Sequence, residues 1–142
     1  MDVTTIVATF GNQRVWVPLA EKAAASVDHG EVIRYHGKTL ADARNTAARR
    51  ATTEWLCFLD ADDSLAPGYM EAMENATGDL RAPAISLVTG QSVTAPVTLE
   101  DRDIEELNPC VIGTLIRREL FMDLGGFKEW RAWEDWCLFL RA

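Results

Sequence analysis

The first sixty residues alternate between strand and helix patterns, and this alternation constrains the fold more than any other feature of the sequence. The β-branched stretch 4–10 predicts a strand, and the stretch 15–27 repeats apolar side chains at helical spacing. A strand over 31–35, an alanine-rich helix over 39–50 and a strand over 54–59 follow. This succession predicts an α/β fold in which helices flank a mostly parallel central sheet.

Local signals add detail to three of these elements. Pro18 is expected in the first turn of its helix, because proline lacks the amide hydrogen that later turns need. Thr39 and Asp42 form a pattern similar to a capping box, in which both side chains bind free backbone amides. The strand over 54–59 is almost continuously apolar, which is typical of a parallel strand covered on both faces.

The second half of the chain carries weaker signals. Pro67 predicts a helix that extends to about Ala76, and weak alternation over 81–99 predicts edge strands or a hairpin. Three further elements complete the pattern: a strand over 111–116, a short helix over 117–124 closed by two glycines, and a helix that begins near Glu134. No linker or change of composition divides the chain, so we expect one domain over 1–142.

The composition restricts the classes of partner. Of the 142 residues, 48% are hydrophobic and 25% are charged, which is ordinary for a globular protein and sufficient for a core. The 22 acidic and 14 basic residues give a formal net charge of −8. Because nucleic acids and anionic membranes are bound through clusters of Lys and Arg, we expect neither as a partner of this chain.

The cysteines and the N-terminal sequence bear on location. The three cysteines are an odd number without metal-ligand spacing, which favours thiols in a reducing compartment over a disulfide framework or a zinc site. The N-terminus shows no signal-peptide pattern, and the apolar runs are too short to span a bilayer. We therefore expect a cytoplasmic protein without a membrane span.

An acidic cluster follows directly after the predicted strand over 54–59: Asp60, Asp62 and Asp63. Parallel sheets bind ligands at the carboxyl ends of their strands, and carboxylates this close together repel one another unless a cation neutralises them. Carboxylate oxygens suit Mg²⁺ or Mn²⁺. The alternative is a solvated loop in which Asp63 or Ser64 caps the next helix. The position after a buried strand favours the metal site.

Two other kinds of site place acids in a similar pattern. A phosphatase of the haloacid dehalogenase type also has Asp-x-Asp after an apolar strand, but the later Gly-Asp-x-x-x-Asp pattern is missing here. An EF-hand loop that begins at Asp60 would use Glu71 as its bidentate ligand. Leu65, however, stands where that loop needs glycine, and Pro67 would interrupt it. Both alternatives are disfavoured.

Four collinear stretches resemble the family 2 glycosyltransferases of GT-A fold. The stretches 43–52 (ARNTAARRAT) and 55–63 (WLCFLDADD) are similar to the family's hallmark, which runs from an ARN helix into a FLDADD strand end. The stretch 117–127, which ends in LGGF, and the stretch 133–141, which contains EDW, are similar to two later segments of the family. The Asp-x-Asp pattern alone would be weak, whereas four matches in order make the resemblance specific.

The resemblance implies a metal-dependent, inverting transfer of a sugar from a nucleotide-diphosphate donor to a hydroxyl acceptor on a glycan, a lipid or a protein. By this resemblance Asp60 lies near the ribose and the metal, and Asp62 ligates Mn²⁺ or Mg²⁺. Asp135 matches the general base that deprotonates the acceptor hydroxyl. Thr9 matches a nucleotide contact, and Arg44 is expected near the diphosphate or the base.

The sequence departs from the family pattern between its first helix and the ARN helix. The family usually has one more β-α unit there, and the strand of that unit ends in an aspartate that binds the nucleotide base. No counterpart of this aspartate is evident, since Asp28 precedes the strand over 31–35. We therefore expect a GT-A fold one β-α unit shorter than usual, with the identity of the base left open.

Two functional hypotheses remain. The first is a compact, metal-dependent glycosyltransferase, which the retention of both Asp62 and Asp135 favours. The second is a non-catalytic sugar-nucleotide-binding module that works with a partner protein. Family members usually continue beyond the EDW helix into acceptor-binding segments, so two alternatives remain open for the acceptor site: a minimal enzyme, or one that a partner or a homo-oligomer completes.

Three tryptophans and two histidines are candidates for binding roles. Trp130, Trp133 and Trp136 recur at a spacing of three residues, and such a row either packs in the core or forms a wall for a sugar ring. We expect Trp136 in the core and leave both alternatives open for Trp133. His29 and His36 are expected at the surface or in turns rather than as ligands.

Overall fold

The computed structural model describes residues 1–83, 113–130 and 132–142, together with the backbone of 88–89 and 92–93. Seven strands lie in this part of the chain: β1 (Val3–Phe10), β2 (Glu31–Gly37), β3 (Trp55–Leu59), β4 (Leu80–Arg81), β5 (Val88–Thr89), β6 (Ser92–Val93) and β7 (Leu115–Arg117). The same residues contain five helices: α1 (Gln13–Ala25), α2 (Leu40–Arg50), α3 (Tyr69–Glu74), α4 (Arg118–Asp123) and α5 (Glu134–Phe139).

Five of the described strands form the central sheet, in the order β2-β1-β3-β7-β4. β1 pairs in parallel with both β2 and β3, whereas β7 is antiparallel to its neighbours β3 and β4. β7 therefore runs against the other four strands. This arrangement confirms the predicted α/β fold with a mostly parallel sheet.

Helices pack on both faces of this sheet. Ile6 and Ala8 of β1 face α2, together with apolar residues of α4 and α5. Val7 of the same strand faces α1 on the opposite side, because successive side chains of a strand alternate between its faces. All five residues of β3 are buried, as predicted for a parallel strand covered on both faces.

A single strand, β2, connects α1 to α2, as expected for a fold one β-α unit shorter than usual. β2 pairs directly with β1 over the full length of β2, from Thr4 opposite Glu31 to Phe10 opposite Gly37. This strand is therefore at the edge of the sheet, and its carboxyl end lies beside that of β1.

The start of α1 differs from the prediction. The helix begins at Gln13, where Asn12 caps it by accepting a hydrogen bond from the Arg14 amide at 3.1 Å. Pro18 consequently lies inside the helix and not in its first turn. The missing proline amide leaves the Arg14 carbonyl without its usual helical donor. The residue that sets the start is the Asn12 cap, which the apolar periodicity does not reveal.

The predicted start of α2 is confirmed. The Thr39 hydroxyl accepts a hydrogen bond from the Asp42 amide at 3.0 Å, and the Asp42 carboxylate accepts one from the Lys38 amide at 2.9 Å. The two side chains thus bind backbone amides at the start of the helix, as in a capping box. This cap fixes the first turn of the helix that carries Arg44.

The remaining predictions are confirmed to different extents. α3 is shorter than the helix expected over 67–76, while α4 ends before two glycines with positive φ, and α5 begins at Glu134 as predicted. β5 and β6 form an antiparallel hairpin inside 81–99. Residues 84–87, 90–91 and 94–99 of that stretch, together with residues 111–112 and Cys110, lie outside the described residues. Across the described part of the chain, no helix has the length and apolar character that a membrane span requires.

Cys57 lies in the middle of β3 and is fully buried, as expected for a structural thiol. Burial raises the pKa of this thiol to about 12. Because only the thiolate reacts, we expect Cys57 to resist a maleimide in the folded protein and to react after unfolding in urea. Timed labelling of a Cys110→Ser, Cys137→Ser variant followed by mass spectrometry measures this. Labelling in native buffer at the rate of the unfolded chain would contradict the burial of Cys57.

Candidate functional site

The carboxyl ends of β2, β1 and β3 lie side by side, because these three strands are adjacent and parallel. Each end carries a polar side chain: His36 on β2, Thr9 on β1, and Asp60 directly after β3. Thr9 is buried, and its hydroxyl lies 2.9 Å from His36 Nδ1. The fold therefore brings Thr9 and Asp60, which the sequence predicts as site residues, close to His36, which it does not. All three lie at the carboxyl ends of the strands, where parallel sheets bind ligands.

A cleft of about 200 Å³ opens between the ends of β1 and β3. Aromatic and acidic side chains both contribute to its wall. The lining residues are Ala8, Thr9, Phe10, Trp16, Leu40, Asp60, Ala61 and Asp62. A small concave site of this composition offers an apolar surface to a flat ring and carboxylates to a cation or to hydroxyl groups.

Asp60, Asp62 and Asp63 form the acidic cluster that the sequence predicts. One carboxylate oxygen of each lies within 4.8 Å of those of the other two. Partial removal of the Asp63 carboxyl from water raises its pKa, and the negative charges of Asp60 and Asp62 raise it further. Mutual repulsion of this kind is relieved by a cation, and an all-carboxylate donor set suits a hard divalent ion. The residues present therefore fit Mn²⁺ or Mg²⁺.

The alternative role for this cluster, as a helix cap, is not observed. α3 begins at Tyr69, and its N-cap is Gly68, which has no side chain to bind the first amides. Asp63 and Ser64 lie upstream of that cap and are both exposed. Neither Asp63 nor Ser64 therefore caps α3.

Arg44 lies in α2 with only 4% of its side chain exposed. Its Nη2 donates to Asp60 Oδ1 at 2.7 Å, and its Nη1 donates to Glu134 Oε1 at 2.9 Å. The guanidinium carbon is 4.9 Å from the centre of the Phe127 ring. Two carboxylates that are far apart in the sequence thus meet at one buried cation.

Asp135, the predicted base, lies in the first turn of α5 and is half-buried. One of its oxygens accepts a hydrogen bond from the Trp136 amide at 2.8 Å. Its neighbour Glu134 is the residue that binds Arg44, which in turn binds Asp60. The structure therefore connects the start of α5 to the acidic end of β3 through this ion-pair chain, although Asp135 does not line the 200 Å³ cleft.

The two tryptophans near α5 differ in burial. Trp133 is 65% exposed and has a positive φ of 64°, a conformation that non-glycine residues rarely adopt. Trp136 was expected in the core but is only half-buried, and the residues that α5 buries in the core are Leu138 and Phe139. The rings of Trp133 and Trp136 contact each other edge to face, with 5.7 Å between their centres.

Asn45 joins the ARN helix to the LGGF segment. Its side chain donates to the Phe127 carbonyl and accepts from the Phe127 amide, both at 2.9 Å. Its Oδ1 also lies close to Gly126, where an added Cβ would approach it to 2.5 Å. Asn45 therefore holds Phe127 at the position from which its ring contacts the Arg44 guanidinium.

We expect Asn45→Ala to lower the free energy of unfolding by roughly 2–4 kcal/mol, because it leaves two backbone groups of Phe127 unpaired. Urea denaturation measures the difference. The matched control is Asn75→Ala, which removes one exposed hydrogen bond to Glu71 and is expected to cost about 0.5 kcal/mol or less. Equal destabilisation by the two variants would show that the link to Phe127 contributes little.

Sequence reasoning missed two residues of this site. The sequence predicts His36 at the surface or in a turn, whereas the structure places it in β2, where its contact with Thr9 follows from the pairing of Thr9 with His36 in the β1–β2 register. The sequence places Glu134 only near the start of a helix, and no local pattern relates it to Arg44, which lies 90 positions earlier. His29, by contrast, is exposed as expected.

Comparisons with known proteins bear on the family and the fold of this chain. The sequence model for Glycosyl transferase family 2 matches residues 16–92, which is more than half of the chain and includes the acidic cluster. A search of curated protein sequences finds no significant match.

The fold is similar to that of TarS from S. aureus. A crystal structure of TarS residues 1–349 in complex with UDP-GlcNAc matches 100% of this chain with a TM-score of 0.71 and 19% sequence identity. A second one, in complex with UDP, matches 97% of this chain with a TM-score of 0.67 and 17% identity. This chain covers 53% and 54% of those two TarS chains. The chain belongs to glycosyl transferase family 2 and has a GT-A fold.

Proposed function

We propose that this chain is a glycosyltransferase that moves a sugar from a nucleotide-diphosphate donor to a hydroxyl acceptor, with inversion at the anomeric carbon. The observation that carries the proposal is the cleft at the carboxyl ends of β1 and β3, which joins an aromatic wall to the acidic cluster. Family membership supports it. The structures of TarS with UDP-GlcNAc and with UDP make a nucleotide sugar the first ligand to test.

Thr9 and Asp60 are the residues that we propose for contact with the nucleotide. Both line the cleft, and Thr9 projects from the strand beside β3. The buried Thr9 hydroxyl is held by His36, so its position is fixed before a ligand arrives. Asp60 is held by Arg44 through one oxygen, Oδ1.

Asp60 and Asp62 are the residues that we propose as ligands of Mn²⁺ or Mg²⁺. Both residues line the cleft, where Asp62 is exposed and Asp60 is half-buried. A divalent cation bound there would neutralise negative charge on the departing diphosphate. The protein's own contribution is to hold several carboxylates close together despite their repulsion, which the buried Arg44 cation offsets in part.

Asp135 is the general base in this proposal. Its carboxylate would take the proton of the acceptor hydroxyl while that oxygen attacks the anomeric carbon from the side opposite the diphosphate. The bond to the diphosphate breaks as the new glycosidic bond forms, so the configuration inverts. A carboxylate at the start of a short helix and half-open to solvent can receive a hydroxyl group from outside.

The alternative is a module that binds a nucleotide sugar without turnover and acts with a partner. The observation in its favour is the single strand between α1 and α2, which leaves fewer residues around a nucleotide base than the usual family pattern. The nature of the acceptor (glycan, lipid or protein), the cytoplasmic location and the formation of a homo-oligomer all remain predictions from the sequence.

Turnover distinguishes the two proposals. The assay measures release of nucleoside diphosphate from uridine, guanosine and thymidine diphosphate sugars, with Mn²⁺, with Mg²⁺ and with a chelator. Metal-dependent release from one donor, stimulated by mixed hydroxyl acceptors, is expected for the enzyme. Binding of a donor without any release would instead support the module.

A further inference from the structure

Arg44 is a buried cation that lies between the acidic end of β3 and the start of α5. With 4% of its side chain exposed, it would be costly to bury without partners, and the structure gives it two carboxylates. Asp60 comes from the end of β3, whereas Glu134 opens α5. The Phe127 ring covers the guanidinium at 4.9 Å. Three separate segments therefore converge on this one side chain of α2.

The two terminal nitrogens of the Arg44 guanidinium are both occupied by carboxylates of this chain. Each of its terminal nitrogens donates to a different carboxylate, at 2.7 and 2.9 Å, and Arg44 is not among the residues that line the cleft. The guanidinium is thus turned toward Asp60 and Glu134. A planar group with two terminal nitrogens can bind two carboxylates at a fixed separation, whereas a lysine ammonium is a single point charge.

We propose that Arg44 is a positioning residue. It sets the position of α5, and with it that of Asp135, relative to the carboxyl end of β3, where the donor is proposed to bind. Glu134 is the residue of α5 through which Arg44 acts. The inference rests on the proposed glycosyltransferase function and replaces the direct donor contact that the family resemblance implies for Arg44. Asp135 follows Glu134 directly, so a shift of Glu134 displaces the base. Displacement of a catalytic group by about 1 Å can cost on the order of 100-fold in rate.

Glu134→Gln tests this proposal, because it removes the charge at the α5 end and leaves the Arg44–Asp60 pair intact. We expect kcat to fall by roughly 10- to 100-fold, while the donor KM and the Mn²⁺ affinity stay within about twofold of wild type. Glu119→Gln, the same chemical change at an exposed position of α4, is the matched control and should leave all three unchanged. A fall in Mn²⁺ affinity that matches the fall in kcat would overturn the proposal, as would an unchanged kcat.

A double-mutant cycle tests whether the two residues act together. Arg44→Lys keeps the charge but cannot span both carboxylates, so we expect it to lower kcat as well. If Arg44 acts through Glu134, the Arg44→Lys, Glu134→Gln double variant should be no slower than the slower of the two single variants. If the fold-loss of kcat in the double variant equals the product of the losses in the two single variants, the two residues act independently. That result would contradict the proposal that Arg44 acts through Glu134.

Hydrogen–deuterium exchange gives a readout that does not depend on turnover. We expect the amides of α5 to exchange faster in Glu134→Gln and in Arg44→Lys than in wild type, with exchange in β1 unchanged. Unchanged exchange in α5 would overturn the positioning role even if no donor is turned over. Absence of turnover by the wild-type protein, together with faster exchange in the variants, would instead contradict only the proposed enzymatic function.

Discussion

Replacement of Asp135 by asparagine is expected to lower kcat by about 100- to 10,000-fold, the usual contribution of a general base. Asparagine keeps the shape of the side chain but cannot accept the acceptor's proton. Asp135 lies at the start of α5 and does not line the cleft at the ends of β1 and β3. We therefore expect the affinity for the donor to change by less than about twofold, which calorimetry measures beside the release assay.

Asp123→Asn is the control for this variant, because Asp123 is an exposed aspartate near the end of α4. It should have wild-type kcat and wild-type donor affinity. The assignment of Asp135 as the base would be contradicted if Asp135→Asn turned over donor and acceptor at the wild-type rate. It would also be contradicted if the whole loss lay in donor affinity.

Replacement of Asp62 by asparagine is the second large expected effect. The loss of one carboxylate from the acidic cluster should weaken Mn²⁺ binding at least tenfold, because a neutral amide oxygen is a poorer ligand for a hard cation than a carboxylate. Loss of metal stabilisation of the leaving group amounts to several kcal/mol, so kcat/KM should fall by on the order of 1,000-fold. Titration of free Mn²⁺ by electron paramagnetic resonance measures the binding directly.

The same Asp123→Asn control separates a local effect from a change in total charge, since both variants remove one negative charge. Wild-type Mn²⁺ affinity in Asp62→Asn would contradict the assignment of Asp62 as a metal ligand. Recovery of turnover at high Mn²⁺ concentration is expected if the variant is only weaker in metal binding.

The strands and helices that the sequence predicts well are those with strong local patterns. The continuous apolar run of β3 and the Thr39 cap of α2 depend on residues that are neighbours in the sequence, so their structure can be read locally. The start of α1 was misplaced because Asn12, which caps it, lies outside the apolar periodicity. A proline inside a helix is tolerated where other contacts hold that helix, and here α1 packs its alanines on β1.

The features of the candidate site likewise fall into those that local sequence predicts and those that it does not. The acidic cluster could be predicted because the end of a parallel strand is a known place for ligands. The hydrogen bonds of Thr9 to His36 and of Arg44 to Glu134 could not be predicted from the sequence. They depend on the register of β1 with β2 and on the packing of α5 near α2. Contacts between residues this far apart in the chain are set by the tertiary structure and leave no periodic signal in the sequence.

The central claim is that a nucleotide-diphosphate sugar binds at the carboxyl ends of β1 and β3 together with a divalent cation. Its most direct test is calorimetric titration with UDP-GlcNAc and with other uridine, guanosine and thymidine diphosphate sugars, each with and without Mn²⁺. We predict that at least one donor binds in a Mn²⁺-dependent manner and that Asp62→Asn weakens this binding at least tenfold at the same Mn²⁺ concentration. Failure of every donor to bind in the presence of Mn²⁺ would contradict the claim.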